Sequence, residues 1–209
     1  MKLGRFVLGL LALWPAVTSA RDLAPAEAAA VERVVEAENF DHQLLARQIF
    51  RLTNGERRSR HIAELKADPH LTKAADDQAA QLSIRIHSGH DSPLARQNDP
   101  YARVEFAGLP DGTVAENAAT LGIRNKDAGR NYTYLELANV VVQAWMDSAG
   151  HRANLLNPEL HYLGCGTRVA RLLKDQTVVY AIQDFYTPAP TPPEPPPPAI
   201  RPGGTSITR

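Results

Sequence analysis

The sequence predicts an α+β layered domain, on two kinds of observation. Three segments in the first three quarters of the chain carry apolar residues at helical spacing, and two segments near the end alternate at the period of strands. Helices first and strands last argue for layers rather than for alternating βαβ units. The 209 residues leave room for one sizeable core once two unlike termini are set aside.

Residues 1–20 have the form of a secretory signal peptide. Lys2 and Arg5 form a positive start, Phe6 to Trp14 a short apolar run, and Thr18-Ser19-Ala20 a small-residue cleavage site. The apolar run is shorter than the roughly 20 residues needed to span a bilayer, so no transmembrane span is expected after cleavage. Residues 21–39, rich in Ala and Glu, read as a helical or disordered linker. At the other end, nine of the sixteen prolines fall between Pro188 and Pro202. Residues 188–209 are therefore expected to be an extended or disordered tail. The domain proper is assigned to residues 40–187.

Within it, Leu45, Ile49 and Leu52 mark the first helix, with Asn54-Gly55 as its expected end. Asp68 can cap the second and Pro69 suits its first turn. Leu71, Ala75, Gln78, Leu82 and Ile86 continue that helix to about His87. A punctuated loop follows to Pro100. GTVAENAATLG is apolar and short, of either type. Thr133 and Glu136 have the spacing of a capping box for a third helix. Its face is Leu137, Val141, Ala144, Trp145 and Ser148, and Gly150 is its expected end. YLGCGTRVARL and TVVYAIQDFYT form an expected antiparallel hairpin around Lys174-Asp175-Gln176.

Composition narrows function. The formal charge is zero, and without residues 1–20 it is 21 basic against 23 acidic residues, which gives no footprint for nucleic acid. A single cysteine, Cys165, excludes an internal disulfide and reads as a buried strand residue. No local metal motif is present: His87, His90, Glu116 and His151 are too far apart for HExxH or CxxC spacing. Any site must be assembled from distant segments. Each residue also has a plain structural role open to it. His90 fits an ordinary loop histidine and His151 a cation at a helix C-terminus. Glu116 fits a partner for Arg103 or for backbone N–H groups. Arg152 fits a clamp on carbonyls.

Taken together, several stretches resemble the CAP superfamily of cysteine-rich secretory, antigen 5 and pathogenesis-related proteins, in its bacterial, cysteine-poor form. LTNGERR resembles the family's Asn-x-x-Arg, with Asn54 and Arg57. HSGHDSP resembles its histidine loop and points to His90. Arg103 and Gly108 lie in ARVEFAGL, and AENAATLG carries Glu116 and Asn117. WMDSAGHRANLLNP matches the most specific motif, and Ile182-Gln183-Asp184-Phe185 the last strand. The resemblance covers about residues 42–187. It implies a three-layer α-β-α sandwich around a central antiparallel sheet. It also implies a cleft where His90, Glu116 and His151 converge and can hold zinc or another divalent metal. Arg103, Asn117, Ser148, Arg152 and Asn154 are the expected supporting residues. Many eukaryotic members carry a second glutamate on the helix of Trp145; here only Asp147 is near enough to substitute.

Three functions fit these residues. The first is a secreted or periplasmic protein whose cleft binds a metal, a small ligand, lipid or a cell-wall component. The second is an extracellular hydrolase using metal-activated water, or Ser88 or Ser148 with His151 and Glu116. The third is a structural or interaction protein of the cell envelope.

Overall fold

The structure, a computed structural model, describes residues 23–172 and 176–190. The expected signal peptide, most of the Pro-rich tail and residues 173–175 of the hairpin turn lie outside the described residues. In chain order the helices are α1 (Pro25–Val31), α2 (His42–Arg58), α3 (Pro69–Arg85), α4 (Pro100–Phe106), α5 (Tyr134–Asp147) and α6 (Ala149–Leu155). The strands are β1 (Lys66–Ala67), β2 (Gly112–Gly122), β3 (Arg124–Asn125), β4 (Arg130–Asn131), β5 (Tyr162–Arg171) and β6 (Thr177–Pro188).

The main sheet has the order β1-β5-β6-β2, and β3 and β4 form a separate ribbon. β5, β6 and β2 are antiparallel, as expected, while the two residues of β1 run parallel to β5. GTVAENAATLG is thus a strand on the sheet's edge. On one face, α2 and α5 bury Leu45, Ile49, Leu137, Val141 and Trp145 against Leu163 and Phe185. On the other, α3 lays Ala75, Ala79 and Leu82 over Tyr180 and Ile182. This is the three-layer α-β-α sandwich. Two glycines on β5 let α3 approach closely. A Cβ at Gly164 would lie 2.1 Å from the Leu71 carbonyl carbon, and one at Gly166 2.3 Å from that of Ala75. The segment read as a linker carries α1, and its Val31 and Val35 are fully buried in the larger core.

The helix starts follow the sequence. Asp68 accepts from His70 and Leu71 N–H at the start of α3, and Thr133 with Glu136 forms the expected capping box of α5. The helix ends depart from it. α2 continues through Asn54-Gly55 to Arg58. Asn54 cannot act as a turn residue because its amide is engaged elsewhere: Nδ2 donates to Leu65 O (3.0 Å) and Oδ1 accepts from Leu65 N–H (2.8 Å). α3 stops two residues early, at Arg85, where Ile86 adopts the left-handed conformation (φ +52°). α5 ends at Asp147, not Gly150. Ser148 is extended (φ −89°, ψ 122°), and a new helix starts at Ala149 with Gly150 inside it.

Arg57 ties these parts together. It is fully buried and donates to Ala63 O (2.7 Å), Leu155 O (3.0 Å), Asn157 O (2.9 Å) and Leu160 O (3.2 Å). One guanidinium thereby satisfies the end of α6 and the entry to β5. Charged hydrogen bonds left without a donor cost about 1.5–3 kcal/mol each in the worst case, partly relieved by relaxation. Arg57→Ala is therefore expected to lower stability by about 3 kcal/mol. The check is urea unfolding, in which the midpoint falls while the slope is unchanged.

Candidate functional site

The site is built on β2, the edge strand, from two adjacent residues that point to opposite faces of the sheet. Glu116 points to the α3–α4 face and Asn117 to the α2–α5 face.

The Glu116 carboxylate is held from two sides. Its side chain is 1% exposed, and Arg103 of α4, equally buried, donates Nη2 to Glu116 Oε2. Arg103 also reaches Gln97 O (3.4 Å). Its place is set by Asp99, which caps α4 by accepting from Ala102 N–H (2.8 Å). On the outer side, His90 Nδ1 lies 2.8 Å from Glu116 Oε1. The carboxylate requires the Nδ1–H tautomer there, so Nδ1 donates. The His90 side chain is 48% exposed, and its Nε2 makes no hydrogen bond among the described residues. The bond to Glu116 raises the His90 pKa, with burial and the Arg103 charge opposing.

Asp184 completes this face. It stands directly opposite Glu116 in the β2–β6 register and is fully buried. Its oxygens have no aligned hydrogen bond among the described residues. Burial first, then the Glu116 charge, push its carboxyl well above the usual carboxylate range, while Arg103 pulls it down. Burial and the facing Glu116 thus both favour the protonated form of Asp184.

Asn117 works on the other face. Its Nδ2 donates to His151 O (3.1 Å) and Gln183 Oε1 (3.3 Å), and Gln183 Nε2 donates to Thr53 Oγ1 (2.7 Å). Asn154 Nδ2 donates to Glu116 O (3.2 Å) and Asn117 Oδ1 (3.0 Å). These bonds lay α6 across β2. His151 lies inside α6 rather than beyond a helix end, and its ring is half-buried close to His90. Burial first, then the His90 charge, lower its pKa.

Of the expected residues, His90 and Arg103 contact Glu116 directly, Asn117 and Asn154 hold the α6 backbone to β2, and the His151 ring lies near enough to His90 to feel its charge. Arg152 braces the break between α5 and α6 by donating to Met146 O (2.7 Å). Ser148 forms that break, and its hydroxyl makes no cap bond. Asp147 is exposed and accepts from Gln143 Nε2 (2.7 Å). The second carboxylate beside Glu116 is therefore Asp184 and not Asp147. In the sequence, only the resemblance singles out Asp184 and Gln183. The signal for both is their place in VVYAIQDFY: a strand apolar on both faces must bury any polar pair within it.

A metal could take donors from this set only in part. Among the described residues no three His, Cys, Asp or Glu side chains are grouped to hold a metal ion. Both oxygens of Glu116 are already engaged, by His90 and Arg103. The available donors are the two imidazoles.

With this geometry in view, a family model described as the cysteine-rich secretory protein family, CAP, matches residues 50–185, more than half of the chain. The chain belongs to the CAP family. The matched residues include every one that builds the cleft. This CAP domain is 29% identical over 120 residues to the protein YkwD of Bacillus subtilis (strain 168), covering 57% of this chain and 41% of that one. An extracellular protein of Bacillus anthracis containing an SCP domain shares the fold at 23% identity and TM-score 0.53. The match covers 69% of this chain and 41% of the other. An outer surface protein of Borrelia burgdorferi has TM-score 0.55 at 18% identity, covering 72% of this chain and 97% of the other. The match thus spans about two fifths of YkwD and of the Bacillus anthracis protein. No helix among the described residues is long and apolar enough to cross a membrane.

The His90–Glu116 bond gives a signed pH effect. A raised folded pKa means that its stabilisation is complete below the unfolded pKa of about 6.5 and fades as pH rises through the folded value. Glu116→Gln removes the charge, so the His90 midpoint is expected to fall, read by NMR titration of the ring protons. Unchanged titration of His90 in that variant would contradict this geometry.

Proposed function

We propose that this CAP domain is an exported binding protein whose cleft takes a divalent metal ion, zinc among them, on the imidazoles of His90 and His151. A small ligand or solvent would supply the remaining donors. The observation that carries the reading is the His90 Nδ1–Glu116 contact of 2.8 Å. A carboxylate behind one ring nitrogen fixes the tautomer and leaves the other nitrogen as a donor, a common arrangement behind metal-ligating histidines. Burial, and then the His90 charge, lower the His151 pKa and so favour its neutral, ligating form. Export is supported by the signal-like residues 1–20 and by the extracellular and outer-surface descriptions of the two structural relatives.

Binding is favoured over hydrolysis by what Glu116 is doing. A metal there would supply Lewis acidity to a bound oxygen. The protein would then have to supply a base, yet the Glu116 carboxylate is held between Arg103 and His90. Among the described residues no hydrogen bond joins Ser88 or Ser148 to His151, so a serine nucleophile has no aligned base.

Zinc calorimetry tests the proposal, on the wild type and on the His90→Ala/His151→Ala variant. One-to-one binding is expected in the wild type, weakening as pH falls and the imidazoles protonate. The variant should remain folded by circular dichroism, since both rings are partly exposed, and should not bind. A folded wild type that takes up no zinc, or a variant that binds equally, overturns the metal cleft.

A further inference from the structure

The sheet has a second edge, far from the cleft, and its hydrogen-bond ladder is broken there. β1 pairs with only the first two residues of β5. Lys66 N–H donates to His161 O (2.9 Å) and Asp68 N–H to Leu163 O (3.3 Å). Asp68 and Pro69 then start α3, which carries the chain away over the face of the sheet. The odd-numbered residues of β5 are therefore those whose backbone groups point outward, away from β6.

The next outward rungs are Cys165 and Thr167. Thr167 O is occupied, accepting from Arg168 Nη1 (2.7 Å), and Thr167 Oγ1 donates to His42 O (2.9 Å), which brings the start of α2 against the strand. The N–H and C=O of Cys165 receive no such cover from the described side chains or loops. An open rung thus sits between β1 and the closure at Thr167. Buried backbone groups require partners, and the edge of a sheet is where an added strand supplies them.

A groove of about 810 Å³ lies over this rung. Its two walls are stripes at helical spacing, Gln43, Ala46, Arg47 and Phe50 on α2 and Pro69, Thr72, Lys73 and Asp76 on α3. Ala67 and Cys165 form the floor. Arg168 of β5 also lines the groove, and two of its three cations are already matched: Lys73 pairs with Asp77, and Arg168 Nη2 with Asp76 Oδ2 (2.6 Å). Arg47 is exposed and has no ion pair or hydrogen bond among the described residues. The groove thus combines an apolar wall, one unmatched positive charge and a backbone donor–acceptor pair. An extended amide backbone with a neighbouring carboxylate meets all three, whereas a simple apolar acid leaves the Cys165 rung unpaired.

We propose that this groove binds a short extended peptide bearing one acidic side chain, which adds to β5 at Cys165 with its carboxylate at Arg47. The site is independent of the histidine cleft.

The test is an amide-NMR titration of the full chain with the tetrapeptide acetyl-Ala-Ala-Glu-Ala amide. Saturable shifts centred on the Cys165 and Thr167 amides and on Arg47 are expected. Arg47→Gln should weaken binding roughly three- to fivefold, the scale of an exposed ion pair. Ala46→Trp, which fills the groove, should abolish it, with a thermal melt confirming that the variant is folded. The same shifts should persist in the His90→Ala/His151→Ala variant, so this outcome is separable from that of the zinc experiment. An analogue N-methylated along its backbone should not bind. Equal binding of that analogue, absence of shifts, or octanoate giving the same shifts and displacing the peptide would each overturn strand addition.

Discussion

The negative charge of Glu116, buried on an edge strand, is the constraint on which the surrounding structure depends. A carboxylate removed from water is stable only if it is paired and fully hydrogen-bonded. Arg103 supplies the charge, which in turn requires α4 to be capped at Asp99 and aimed at β2. Asp184, directly across the ladder, is pushed toward its protonated form by its own burial and by the Glu116 charge facing it. His90 donates to the other carboxylate oxygen from the surface side. Such a pair adds little net stability compared with apolar residues, but removal of either partner leaves an uncompensated charge. Its consequence is orientation: the loop after α3 has one place where its histidine satisfies Glu116.

The parts of this arrangement legible in the sequence are those fixed locally. Asp68 with Pro69, and Thr133 with Glu136, announce helix starts because a cap is a contact between near neighbours. The hairpin of β5 and β6 is visible in its period. The pairing of Arg103 with Glu116 is one of the structural roles open to those residues from the sequence, and the resemblance assembles the two histidines around it. The failures share a cause. Asn54-Gly55 and Gly150 carry the local chemistry of helix ends, yet Asn54 is recruited by Leu65, eleven residues away, and Gly150 sits in a helix restarted by the extended Ser148. β2 is ambiguous in the sequence because a strand that places a charged residue on one face and an amide on the other has no clean alternation. Asp184 is hidden by the same logic, since its partner is 68 positions distant in sequence and only the register reveals it.

The break at Ser148 is where the fold and the cleft meet. Trp145 and Met146 are buried in the main core, so α5 has to run along the layer until that point. Asn154 must reach β2, so the chain has to change direction immediately afterwards. Ser148 provides the extended residue, and Arg152 satisfies the Met146 carbonyl that the break leaves without a helical partner. At the far end of α6, Leu155 is wholly buried and its carbonyl is held by Arg57 of α2. A seven-residue helix is too short to be stable by its own hydrogen bonds. It is therefore positioned by contacts at both ends and by Asn117, which bonds both His151 O and Asn154. His151 inherits this fixity: its backbone carbonyl is bonded to Asn117 while its ring stays partly open to solvent. A ligand at His151 would thus meet a residue whose backbone is already fixed to the sheet and to the α2–α5 layer, leaving mainly the ring's own rotation to lose on binding.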